Sequence, residues 1–165
     1  MRFWLGLALT WTLAGCDPVT PVSGTVRIID GDTLLLDGQS VRLSGIDAPE
    51  LDQRCGDRAC GRDARAFLSD AVAGRAVTCR GSERDRYGRT IATCAVGETE
   101  LGALMVRAGH AVAYRRYSTA YLGEESAAHA AGLGVWGAES FEMPWDHRAA
   151  RRAGLAGTSD YTRIR

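Results

Sequence analysis

Residues 30–50 read DGDTLLLDGQSVRLSGIDAPE, and the alternation of turn signals with apolar runs in this stretch decides the fold. Asp30-Gly31-Asp32 separates the β-rich residues 24–29 from residues 33–36, and Asp-Gly between such runs is a strong hairpin signal. Asp37-Gly38 repeats the device and leads into residues 40–46, so the spacing predicts three consecutive strands in a meander.

Beyond residue 60 the apolar period changes. Ala64, Phe67, Leu68, Ala71 and Val72 fall on one helical face, which predicts a helix over 62–73 stopped by Gly74. Residues 75–80 and 90–96 read as two further strands around the loop 81–89. Leu101, Leu104, Met105 and Ala108 give a second helix ending on Gly109. Ser118 or Thr119 can cap a third, running to about Gly132 with Tyr121 and Ala128 inward and Glu124 and Glu125 outward. Five strands, with helices after the third and following the fifth, match a mainly β, five-stranded Greek-key barrel of the OB-fold type carrying three helices.

At 165 residues the chain suits one such domain with short appendages. Its net charge is zero, which argues against a protein that coats nucleic acid by bulk electrostatics. Every Lys/Arg position is Arg. Codon bias is a sufficient explanation for that count, so only the placement of an Arg carries functional weight.

The sequence divides into four stretches. Residues 1–16 resemble a secretory signal: Arg2, then an apolar run over residues 3–14 too short to span a bilayer. The run ends in Leu13-Ala14-Gly15-Cys16, which resembles a lipobox and makes Cys16 the expected lipidation site, tethering an exported domain to the membrane. Residues 17–22 form a tether, 23–137 the barrel domain, and 138–165 an extension expected to be partly docked and partly disordered. The expected location is therefore periplasmic or extracellular, and the expected state a monomer. Cys55, Cys60, Cys79 and Cys94 remain, an even number without a Cys-x-x-Cys pair, which favours disulfides over zinc. Of three possible pairings, Cys55–Cys60 is favoured as a loop clip. Cys79–Cys94 is favoured as a staple across the hairpin closed around 81–89.

Three short motifs carry chemistry. Asp30-Gly31-Asp32-Thr33 alone is an ordinary Asx-rich turn. The run from Arg42 to Glu50 places Arg42, Asp47 and Glu50 about a strand end, where side chains can be aimed into a cleft. Asp85-Arg86-Tyr87-Gly88-Arg89 occupies the next hairpin loop.

Taken in order, DGDT, RLSGIDAPE and DRYGR resemble the staphylococcal-nuclease-like (thermonuclease) family, over about Ser23 to Trp136. FEMPWDHR, residues 141–148, resembles an extension seen in bacterial members. The resemblance implies a nuclease acting on DNA or RNA, most readily single strands. It also implies Ca2+ held by Asp32, Asp47 and the backbone carbonyl of Ala48, an oxygen set that suits a hard cation. Ala48 stands where the family often has Thr, which leaves the carbonyl available. Asp30 would hold the turn. Glu50 would act as general base on water, and Arg42 and Arg89 would stabilise the phosphorane-like transition state. Tyr87, Tyr114 and Arg86 would bind substrate, with lesser expectations for Tyr117, Arg84, Arg115 and Arg116. His110, His129 and His147 have no metal-like spacing and read as structural. The competing readings are a non-catalytic OB module that binds nucleic acid or protein, and a structural envelope protein. Both are disfavoured by the presence of all five of Asp32, Arg42, Asp47, Glu50 and Arg89.

Overall fold

The computed structural model describes residues 22–154. The signal-like segment, Cys16, residues 17–21 of the tether and the end of the chain from residue 155 lie outside the described residues.

The strands follow in chain order: β1 (Val22–Gly24), β2 (Val26–Ile28), β3 (Thr33–Leu36), β4 (Gln39–Leu43) and β5 (Ile46–Asp47). After helix α1 (Cys60–Val72) come β6 (Val77–Arg80), β7 (Thr90–Val96) and β8 (Thr99–Glu100). Helix α2 (Leu101–Arg107), β9 (Val112–Ala113), helix α3 (Leu122–Ala130), a 3₁₀ turn (Gly134–Gly137) and helix α4 (Pro144–Arg152) complete the fold.

The strand order β1-β6-β7-β4-β3-β2 places β1 and β2 at opposite ends. Only Thr25 separates them in sequence, so one bent strand closes the ribbon on itself. This is the five-stranded OB barrel, with the parallel β4–β7 pair as its seam. Asp37 and Gly38 both take positive φ (49° and 80°), the geometry a tight β3–β4 hairpin needs and the reason an Asp-Gly pair stands there. Inside lie Leu34, Leu43, Val77, Leu101, Met105 and the Ala64, Leu68 and Val72 face of α1.

The structure departs from the sequence expectations in three places. The first strand breaks at Thr25, because it serves two neighbours, β6 on one side and β3 on the other. Helix α3 begins at Leu122, and Glu125 is buried rather than outward, accepting a hydrogen bond from the Ala113 amide (2.9 Å) and pairing with Arg115. The described residues hold a fourth helix, α4, which the three-helix expectation lacked. It rests on a second apolar cluster where Trp136, Phe141, Met143 and Trp145 pack against Val112, Val135 and the Cys55–Cys60 disulfide. The other cystine, Cys79–Cys94, joins residues directly opposite on β6 and β7.

Candidate active site

The site forms where the starts and ends of strands meet. Thr33 on β3 lies opposite Arg42 on β4, so the residue preceding β3, Asp32, comes within reach of the Arg42 guanidinium. Arg42 pairs with Asp32, donates to Asp47 Oδ1 (2.9 Å) and to the Ile46 carbonyl (3.1 Å), and thereby spans the gap between the DGDT turn and β5. Asp32 also accepts from the Ala48 amide (3.1 Å) and the Thr33 hydroxyl (2.9 Å). The turn comes this close because residue 31 is glycine: a Cβ there would stand 2.7 Å from the Ala48 Cβ and 2.8 Å from the Ala64 Cβ.

Asp47 is fully buried, on the strand that pairs with β9. Glu50 follows in a loop fastened from several sides. Its amide donates to Gln53 Oε1 (3.2 Å), and the Gln53 amide returns a bond to its carbonyl (2.8 Å). Gln53 is itself buried and donates from Nε2 to the Glu142 carbonyl (2.6 Å). Gly61, in the first turn of α1, packs so tightly beneath Glu50 that an added Cβ would fall 1.7 Å from its carbonyl oxygen.

Arg89 is held at the mouth of the 85–89 loop. Its Nε donates to Asp85 Oδ2 (2.7 Å), and its Nη1 reaches the Thr33 hydroxyl (3.3 Å), the same hydroxyl that donates to Asp32. Asp85 holds the loop by accepting from the Tyr87 and Arg89 amides (2.9 and 3.0 Å). Arg89 thus joins the cluster at one remove, through Thr33.

A residue to which the sequence reading gave no role completes the arrangement. Arg148, on α4, forks onto Asp47 with Nη2 to Oδ2 (2.7 Å) and Nη1 to Oδ1 (3.1 Å). The same Nη1 bonds Glu50 Oε1 at 2.9 Å. The sequence did carry a signal for the element: Pro144 at the first helical position, Asp146 in the first turn, and Arg151 and Arg152 in the last.

These contacts set the charge states. Burial, and the neighbouring Asp32 charge, push the Asp30 carboxyl up to about 6. Burial also works against ionising Asp32, but the Arg42 guanidinium and the Ala48 amide prevail and hold it below the ordinary carboxylate range. For Asp47, burial prevails, with Asp32 repelling a second charge, and its pKa is raised despite Arg148 and Arg42. Both guanidiniums are held above their ordinary values, against the effect of burial, by the carboxylates around them.

The donors here are hard oxygens, the kind a calcium ion takes. Asp32 and Asp47 are both buried and share Arg42, and both Asp47 oxygens are also taken by Arg148, so an ion there would take the place of guanidinium contacts. Among the described residues no ready group of three or more His, Cys, Asp or Glu side chains exists to hold a metal. An ion at Asp32 and Asp47 would therefore complete its coordination with backbone carbonyl, water and phosphate oxygens. The donor chemistry fits.

The aromatic residues are less uniform. Tyr87 is exposed, with Arg86 at 4.8 Å and Arg89 at 5.6 Å from its ring centre, so it borders the Arg89 side of the site. Tyr114 follows β9, donates its amide hydrogen to the Gly45 carbonyl (2.8 Å), and has one face covered by Trp145 of α4, the rings nearly parallel with centres 5.6 Å apart. Tyr117 is exposed at the edge of Tyr114. Arg84 is turned to the Gly88 carbonyl (2.8 Å), Arg115 is committed to Glu125, and Arg116 lies over Tyr117. His110 stacks on Phe67, His129 meets Trp136 edge-on, and His147 faces Glu142 and Asp52.

An OB barrel that gathers an acidic pair and an Arg–Glu–Arg set about one strand end defines a class, and comparison with known proteins agrees. A family model described as "Staphylococcal nuclease homologue" matches residues 40–138, and the chain belongs to that family. It is 38% identical to a micrococcal nuclease of Shigella flexneri, over 77% of this chain and 80% of the relative. It is 33% identical to an uncharacterized endonuclease of Haemophilus influenzae, over 91% and 85% respectively. It is also 33% identical to the succinoglycan biosynthesis protein ExoI of Rhizobium meliloti, over 81% and 72%.

Proposed function

We propose that this nuclease is a calcium-dependent phosphodiesterase that hydrolyses DNA or RNA, with Glu50, Arg42 and Arg89 carrying the chemistry. That it is a nuclease rests on its family. The finer reading is supported by one observation above the others: Asp32, Arg42 and Asp47 are in direct contact, with Glu50 and Arg89 fastened to the same cluster through Arg148 and Thr33.

In this reading water attacks phosphorus while Glu50 accepts its proton, and the P–O bond to the sugar oxygen breaks, that oxygen leaving with the bonding pair and taking up a proton from solvent. Negative charge grows on the equatorial oxygens, and Arg42 and Arg89 donate to them from positions fixed beforehand by Asp32, Asp47 and Asp85. Because those donors are already oriented, little reorganisation accompanies the transition state. Asp32, Asp47 and the Ala48 carbonyl would hold the ion, which supplies Lewis-acid polarisation of the phosphate when bound. Tyr87 and Tyr114, with Arg86, border the site where a single strand would lie.

Two disulfides support an oxidising compartment, and lipid on Cys16 would keep the site outside the cytoplasm on a membrane surface. The purified chain is expected to degrade single-stranded DNA or RNA with calcium and to stop with chelator; chelator-resistant cleavage would overturn the metal assignment. Glu50→Gln is expected to cut turnover by orders of magnitude, and near-normal turnover would remove the general-base role.

A further inference from the structure

The described part of the extension after residue 138 does more than cover the barrel. Three of its polar contacts fall on one loop, residues 50–53, which carries Glu50. The Glu142 carbonyl accepts from Gln53 Nε2 (2.6 Å), Arg151 pairs with Asp52 (2.9 Å), and Arg148 reaches Glu50 Oε1 (2.9 Å). The helix is anchored by apolar contacts independent of these: Pro144 is buried, and Trp145 stacks on Tyr114. Arg148 therefore approaches from a fixed base.

Its geometry is specific. The fork onto Asp47 uses both Asp47 oxygens, and Nη1 is shared with Glu50. A planar guanidinium can hold two carboxylates in a set relative orientation, which an ammonium point charge cannot. Only one of the two Glu50 carboxylate oxygens is engaged by Arg148, leaving Oε2 for a water molecule. Asp47 is fully buried on β5 and is held by Arg42 as well as Arg148, so it can serve as the reference for Glu50.

We propose that Arg148 is a positioning residue for hydrolysis, and that the extension after residue 138 is part of the catalytic unit: Arg148 orients the Glu50 carboxylate against the fixed Asp47. This rests on the general-base reading of Glu50. A general base helps only within hydrogen-bond reach of its proton, and a displacement near 1 Å can cost on the order of 100-fold in rate.

The test is a double-mutant cycle on the full chain with single-stranded DNA and calcium. Arg148→Ala is expected to lower kcat by roughly 10- to 100-fold while KM changes by less than about threefold. In the Glu50→Gln background the same change is expected to cost almost nothing further, because its effect passes through Glu50. Arg148→Lys is expected to restore only part of the rate. Calorimetric titration with calcium alone is expected to show Arg148→Ala binding the ion no more weakly than the parent. A thermal melt shows whether each variant is folded; for one that is not, Arg148→Met, which keeps the apolar stem, replaces Arg148→Ala.

Several results would overturn the proposal. A rise in KM at constant kcat would make Arg148 a phosphate contact, and a faster enzyme would make it an inhibitory plug. Loss of calcium binding would place the defect at Asp47, and an undiminished penalty in the Glu50→Gln background would break the link to Glu50. If Arg148→Ala is normal while Glu50→Gln is inactive, this inference alone fails. Near-normal turnover by Glu50→Gln would remove the base reading and this one with it.

Discussion

Replacing Gly61 by alanine separates the placement of Glu50 from the stability of the barrel. The new Cβ would sit 1.7 Å from the Glu50 carbonyl oxygen, 2.5 Å from its carbonyl carbon and 2.9 Å from the Leu51 Cα. All three are backbone atoms, so no side chain can rotate out of the way. Clearing even a 3.0 Å contact requires the loop and helix α1 to part by about 1.3 Å. The stability terms oppose each other: overpacking costs about 1–3 kcal/mol, and alanine gains about 1 kcal/mol over glycine within a helix. The net loss of about 0–2 kcal/mol corresponds to a fall of at most about 8 °C in Tm for a chain of this size. With Glu50 as the proposed base, catalysis has no such compensation, and a shift of this size at that group is expected to lower kcat by on the order of 100-fold. Steady-state cleavage of single-stranded DNA, with thermal melting by circular dichroism, measures both. Gly38→Ala is the control: its positive φ costs about 1–2 kcal/mol, it touches nothing, and turnover should be unchanged. Turnover by Gly61→Ala within threefold of the parent would refute the claim that helix α1 sets the position of Glu50.

Two further outcomes follow from local contacts. Removing the Cys79–Cys94 bridge by a paired change to alanine frees a loop with a sequence separation of 15, which should lower the unfolding free energy by about 3 kcal/mol, read by urea denaturation with nuclease activity retained at low urea. His110 is stacked on Phe67 at 4.4 Å, and burial lowers its pKa below 6.5, so the folded state binds its proton less readily than the unfolded chain. Stability should therefore fall as pH drops below about 6.5, and His110→Phe should flatten that slope between pH 7 and pH 5 in thermal melts; an unchanged slope would reject the assignment.

Much of the fold was legible because its signals are local. Asp37-Gly38 announces its hairpin through φ, and Ala64, Leu68 and Val72 announce a helix face through period. The places where the reading fell short are those where a distant partner decides. Glu125 sits on a helix whose sequence offers no reason to bury a carboxylate; it is inward because the Ala113 amide, twelve residues away, needs an acceptor. The break at Thr25 follows from barrel closure, which no short window encodes. Arg148 is the clearest case. Its sequence neighbours mark a helix, but its partners lie 98 and 101 residues earlier, and only the docking of Trp145 and Phe141 brings them together.

The charges of the cluster explain why that long-range contact matters. Asp32 and Asp47 share the single guanidinium of Arg42, and a fully buried carboxylate left short of countercharge is costly, about 3–5 kcal/mol when a partner is removed. Arg148 supplies the missing charge to Asp47, but it also draws in Glu50. Three carboxylates then face two guanidiniums, an excess of one negative charge, while Arg89 is balanced separately by Asp85. The proposed calcium ion would offset that excess, and the two guanidiniums lower the repulsion that a phosphodiester would meet from the bare acidic pair. Burial raises the Asp47 pKa, and the Arg148 and Arg42 guanidiniums work against that rise. The proposed calcium ion and the role inferred for Arg148 thus draw on the same carboxylate, and an ion bound at Asp47 would have to share it with that guanidinium.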